Sequence, residues 1–95
     1  MTIHYTLESV QDLDRLRKFI ANKSLSATNR IVSELKQEVN KLCEFPSIGI
    51  KIVSMVNSSE IRDLFIGHYT VRFLVVNDDI FILRLWHDKE NERNS

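Results

Sequence analysis

Residues 60–87, EIRDLFIGHYTVRFLVVNDDIFILRLWH, decide the architecture of this chain. Tyr69, Val71, Phe73 and Val75 put an apolar side chain at every second position, and Phe81, Leu83 and Leu85 resume the alternation after Asn77-Asp78-Asp79. A period of two marks strands with one buried face. The stretch predicts strands over about 60–66, 69–77 and 80–87, joined by turns at Gly67-His68 and 77–79 that are short enough to make sequential strands antiparallel neighbours. The opposite parity mixes arginines with apolar residues: Arg62 and Leu64, then Thr70, Arg72, Leu74 and Val76, then Ile82, Arg84 and Trp86. Asp63 and His87 fall on the core side of this scheme, so each needs a buried partner or a bulge that frees it.

Upstream the period changes. Ile3 and Tyr5 alternate with His4 and Thr6 as a short first strand. Thr6 or Ser9 can cap a helix running to about Asn22, with Val10, Leu13, Leu16, Phe19 and Ile20 on its apolar stripe and Glu8, Asp12 and Asp14 near the end where the helix dipole favours acids. After the break Asn22-Lys23-Ser24, Ser24 or Ser26 can cap a second helix whose stripe is Ala27, Ile31, Leu35, Val39 and Leu42. So short a break predicts an antiparallel helix pair. Cys43 reads as a small buried apolar residue at the flank of that stripe, and Pro46 ends the helical region. Residues 47–59 form a loop around Gly49 that can carry a short irregular strand, and the polar tail 88–95 is expected to fray. A strand, two helices and a run of strands predict a single two-layer α+β domain over 1–95, an antiparallel helix hairpin covering one face of a small antiparallel sheet.

Ninety-five residues suit one small core, which hides roughly two-thirds of the unfolded surface. No segment approaches the ~20 apolar residues of a membrane helix, and MTIHYTLES lacks a basic segment followed by an apolar run, so no membrane association and a cytoplasmic location are expected. The lone Cys43 agrees with a reducing compartment. Thirteen basic and thirteen acidic side chains cancel, which weighs against a protein held on nucleic acid by many phosphate contacts. His4, His68, His87 and Cys43 lack metal-ligand spacing, two glycines cannot make a phosphate-cradling loop, and no Ser/His/Asp set can be singled out, so no cofactor or metal is expected.

The open sheet face is the candidate site. If Arg62, Arg72 and Arg84 share it, three guanidinium groups repel by about 1 kcal/mol or more at 4 Å, and acids of this chain or a bound partner must relieve them. Their apolar company, Leu64, Leu74, Ile82 and Trp86, has the composition of an interaction surface. With Lys89 beyond the last strand, the expected partner-binding face is Arg62, Arg72, Leu74, Arg84, Trp86 and Lys89.

Four segments, in order, resemble the ParE/RelE superfamily of toxins from bacterial type II toxin-antitoxin modules: Asp12-Leu13 with its spacing to Leu16 and Ile20; Phe45-Pro46-Ser47-Ile48-Gly49; Ile61 to Phe73 with its arginine, glycine and tyrosine; and Ile82-Leu83-Arg84-Leu85-Trp86-His87. The resemblance covers nearly the whole chain. It implies a small sheet with a helix hairpin on one side, a cognate antitoxin wrapped around the toxin, and a role in growth arrest or plasmid stabilisation. It also implies one of two targets. The RelE-like branch cleaves messenger RNA in the ribosome, whereas the ParE-like branch poisons DNA gyrase. The family usually closes its last strand with His-x-Arg; here His87-Asp88-Lys89-Glu90 stands instead, so the role of position 89 does not carry over.

RNA cleavage needs proton-transfer groups and cations that steady the phosphorane. Arg62 and Arg84, with Arg72, are the candidate cations and His87 the candidate titrating group. The RelE-like branch is typically strongly basic, with lysines before the central strands, whereas only Lys51 stands in the loop here. The ParE-like, non-nuclease branch is therefore favoured, with a ribosome-dependent endoribonuclease and a non-toxic binding domain of the same fold as the alternatives. A homodimer or a hetero-oligomer with the antitoxin is compatible with either.

Overall fold

Two turn lengths set the sheet. In the computed structural model, which describes residues 1–93, Gly67-His68 is a two-residue turn that pairs Ile66 with Tyr69 and hence Leu64 with Val71, Asp63 with Arg72 and Arg62 with Phe73. Directly paired residues share a face. Leu64 therefore joins Val71 and Phe73 in the core, and the even-numbered residues of β3 (Glu60–Ile66) face the same way as the odd-numbered residues of β4 (Tyr69–Val76). The second turn holds only Asn77 and Asp78, with Asn77 at φ 52°, because Asp79 already pairs with Val76. That register brings Ile80 and Ile82 of β5 (Asp79–His87) inward against Val75 and Phe73.

The expected core set of β5 is corrected accordingly. Phe81 pairs with Leu74 on the opposite face and stacks on His4, and Leu83 is the extra residue of a bulge between the Phe73–Ile82 and Arg72–Arg84 pairs. The bulge shifts the phase by one residue and returns Leu85 to the core opposite Val71.

The sheet order is β1-β5-β4-β3-β2, with β1 (Thr2–Tyr5) parallel to β5 and all other pairs antiparallel. The sheet is thus mixed, a parallel first strand added to the expected antiparallel run. The irregular strand in the loop is β2 (Ile50–Ser54), at the sheet edge and exposed along its length. Gly49, before it, has φ +87°, and a Cβ there would stand 2.2 Å from the Asp63 carbonyl oxygen, so only glycine lets the loop approach β3.

Thr6 caps α1 (Leu7–Lys23) by accepting from the Ser9 amide, and its hydroxyl donates to the Ile82 carbonyl, fixing the helix start to β5. A single 3-10 turn, Leu25–Ala27, leads into α2 (Thr28–Asn40). The buried positions are Ser9, Asp12, Leu16 and Ile20 on α1, and Thr28, Val32, Leu35 and Val39 on α2, continued by Leu42. Both stripes differ from expectation. Val10 is exposed, Val32 replaces Ile31 as the buried residue of its turn, and Cys43 is exposed. Leu16, Val39 and Leu42 meet Leu64, Val71, Phe73, Ile80, Ile82 and Leu85 in one core. The tail is drawn in at its start: Asp88–Arg93 form a short helix, α3, with Glu90 buried. Residues 94 and 95 of the expected frayed tail lie outside the described residues.

Candidate partner-binding surface

The three arginines do not share one face. Arg62 lies opposite Phe73, on the helix-covered side, and its side chain is only 13% exposed. Its guanidinium donates to the carbonyls of Ser47 (2.6 Å), Ile48 (3.2 Å) and Gly49 (3.0 Å) and to Glu60 (3.0 Å). A planar group with five donors suits this task, gathering three carbonyls that no strand or helix satisfies. Arg62 therefore clamps the Ser47-Ile48-Gly49 loop and is withdrawn from any open-face set.

Arg72 does lie on the open face. It makes a bidentate pair with Asp63 (2.8 and 2.9 Å), and its guanidinium carbon stands 5.2 Å from the Trp86 ring centroid. Asp63 is buried but faces away from the core, which the two-residue turn explains, and Arg72 is the partner it needed. Leu74 and Trp86 share this face, and Arg84 pairs directly with Arg72, so Arg72, Leu74, Arg84 and Trp86 hold open-face positions out of the expected six. Lys89 is exposed on α3, outside the sheet.

Arg84, one residue past the bulge, reaches Asp12 of α1 through Nε (2.8 Å) and Nη2 (3.1 Å). Asp12 also accepts from the Leu85 amide (2.9 Å) and from Arg15, and Arg15 in turn donates to Glu90 (2.7 Å) and the Leu85 carbonyl (2.9 Å). Burial alone would raise the Asp12 pKa, but the bonds from Arg84, Arg15 and the Leu85 amide outweigh it and hold the carboxyl below its usual value. Glu90 is governed by the same opposition: burial raises its pKa, and the bonds from Arg15 and the His87 amide outweigh that and hold it below its usual value. Arg84, Asp12, Arg15 and Glu90 thus form one chain of alternating charge joining β5, α1 and α3.

This hub was not assigned from the sequence. The signal was present, because Asp12, Leu16 and Ile20 follow helical spacing and put an acid on the buried stripe.

His87 starts α3. Its Nδ1 accepts from the Lys89 amide (3.0 Å), and the ring packs between Phe19 (5.1 Å) and Tyr69 (4.9 Å, edge-on). Burial lowers its pKa despite the pull of Asp88, which matches a ring that must be unprotonated at Nδ1 to cap a helix. His87 pairs with Tyr69 in the same phase as Leu85 with Val71, so it keeps its core-side position, where Phe19 and Tyr69 cover the ring and the Lys89 amide satisfies Nδ1.

The RNA-cleaving set of Arg62, Arg84 and His87 is therefore spread over separate tasks. Arg62 lies two strands from Arg84, roughly 10 Å of sheet at the usual strand spacing. Among the described residues no cluster of three or more His, Cys, Asp or Glu is placed to hold a metal, and no helix is long and apolar enough to cross a membrane.

A second concave feature lies between the helices. A groove of about 510 Å³ is floored by Tyr5, Leu13 and Val32, with Val10 exposed at its side and Arg17 and Lys36 among its polar residues. It is large enough to take side chains of a partner.

The family described as the ParE toxin of type II toxin-antitoxin system, parDE, matches residues 3–92. Among solved structures, a chain from the chromosomal ParDE TA system of P. aeruginosa superposes with a TM-score of 0.72 at 21% identity, over 92% of this chain and 95% of that one. Among curated proteins, none matches.

Proposed function

Because this chain belongs to the ParE toxin family of type II toxin-antitoxin systems, we propose that it is the toxin of such a pair, arresting growth in the cytoplasm by poisoning DNA gyrase and held inactive by a cognate antitoxin. The main support for a binding rather than a cleaving action is the internal use of the candidate catalytic groups. Arg62 is bonded to loop carbonyls, Arg84 to Asp12, and His87 to the amide of Lys89. RNA cleavage would require these groups to converge on one phosphate. Equal numbers of acidic and basic side chains favour a protein target over ribosomal RNA in the same direction.

Two surfaces suit the antitoxin. The open-face patch of Arg72, Leu74 and Trp86 offers apolar area around an already neutralised guanidinium, and the groove between α1 and α2 offers an apolar floor with two cations, Arg17 and Lys36, and one acid, Asp14, along its lining. An amphipathic segment with acidic residues beside its apolar ones fits the groove.

The test pairs two assays. Purified protein added to purified gyrase should inhibit supercoiling and trap cleavage complexes, and primer extension on messages after induction should show intact transcripts. Unaffected gyrase together with cut transcripts would refute the proposal and favour the endoribonuclease. The product of an adjacent small open reading frame should co-purify with the chain and restore gyrase activity.

A further inference from the structure

The apolar surface left over after the two partner surfaces is concentrated on one edge. Six of the eleven large hydrophobics exposed among the described residues, Ile50, Ile52, Val53, Met55, Val56 and Phe65, belong to β2, the loop after it and the adjoining end of β3. Their exposure runs from 45% to 80%. β2 ends the sheet order, so the outward backbone groups of an apolar strand have no ladder partner within the chain. Such an edge is a template for pairing with another strand.

Natural edges are guarded by proline, charge or a bulge. This one has no proline between residues 47 and 60, one charge, Lys51, and one irregularity, the register shift at Ile52. Lys51 sits beside Arg62 across the strand pair and makes no ion pair among the described residues, and its four-carbon stem lets the ammonium reach water while the stem covers apolar surface.

We propose that β2 is a self-association edge, pairing antiparallel with β2 of a second copy about a twofold axis to extend the sheet across both chains. A twofold axis makes any such pairing antiparallel and reciprocal, so each bond given is returned by the other copy. The charge balance fits a second copy. The strand carries a single cation at its flank, and thirteen acids against thirteen bases leave no long-range repulsion between identical chains. Six large hydrophobics at this exposure contribute several hundred Å² per copy, against the about 800 Å² per partner of a stable interface, so the pairing is a reversible monomer–dimer equilibrium. On the open face, Ile50 pairs with Asp63 and Val53 with Ile61, so the second copy continues the apolar row as well as the ladder.

Sedimentation equilibrium on the full chain, from low micromolar to several hundred micromolar, should show a monomer–dimer equilibrium. Val53→Lys should weaken it at least tenfold while leaving the circular dichroism and melting temperature unchanged. Leu25→Lys, at an exposed apolar residue of the helix turn, should leave it intact. Amide exchange on the unmodified chain gives a readout independent of any variant: the outward amides of β2 should slow as concentration rises. A single monomeric species throughout, a dimer indifferent to Val53→Lys, or β2 amides protected only when a different protein is bound would each overturn the assignment to a second copy.

Discussion

Asp12 does more for this fold than any other polar residue. Its carboxylate is almost wholly buried, takes two arginines and a strand amide, and so decides where α1 sits along β5. Removing one partner of a buried ionic group leaves the others uncompensated, which typically costs about 3–5 kcal/mol. Arg15 and Arg84 keep roughly half their side-chain surface in water, so Asp12→Ala should fall at the lower end, about 3 kcal/mol, read as a reduced midpoint in denaturant unfolding with unchanged slope. Arg62 and Arg72 follow the same logic with different partners. Each guanidinium is spoken for by the chain itself, Arg62 by three carbonyls and Glu60, Arg72 by Asp63. Arginine in this protein is chiefly a fastener between elements.

Elements inherit their orientation from these fasteners and from turn lengths. A two-residue turn inverts parity between successive strands, and one bulged residue inverts it again, so the side chains of β3, β4 and β5 cannot be assigned to faces by a single odd-even rule. Leu64 and Ile82 enter the core and Phe81 leaves it for this reason. The short α3 depends on ionisation. Glu90 and Asp12 have folded-state pKa values below their ordinary ones, so their stabilisation is present above the ordinary carboxylate value and is lost as pH falls through the depressed one. His87 is likewise lowered: its contribution is present above the ordinary imidazole value and is lost as pH falls through its folded value, when Nδ1 gains a proton and can no longer accept from Lys89. All three act in one direction. On acidification from neutral pH, α3 should detach before the sheet unfolds, seen as faster exchange of the Lys89 amide while the amides of β4 stay protected. Simultaneous loss of both would contradict this order.

At the scale of the whole molecule, neutrality and internal charge pairing shape how the toxin family member meets its partners. A protein that grips nucleic acid through 6–10 phosphates loses about 10³–10⁵ in affinity between 50 and 200 mM salt. Association of this chain with the proposed antitoxin or gyrase should instead change by less than about tenfold over that range if apolar contacts with few released ions carry the interface; a steep loss measured by calorimetry would point to phosphate contacts. The sequence by itself determined the kind and order of β1, the two long helices and β3 to β5, because periods of two and 3.6 and the breaks at Pro46, Gly67 and Asn77 are local properties of the chain; the helix Asp88–Arg93, read there as a fraying tail, was not legible. It also carried the family, through short segments whose order survives without any three-dimensional information. Only the tertiary structure decided which face each arginine occupies, that β1 lies parallel to β5, and that Asp12 is a buried hub. Those outcomes depend on register and on partners distant in sequence, Asp12 with Arg84 and Arg15 with Glu90, and no local pattern encodes a contact across more than seventy residues.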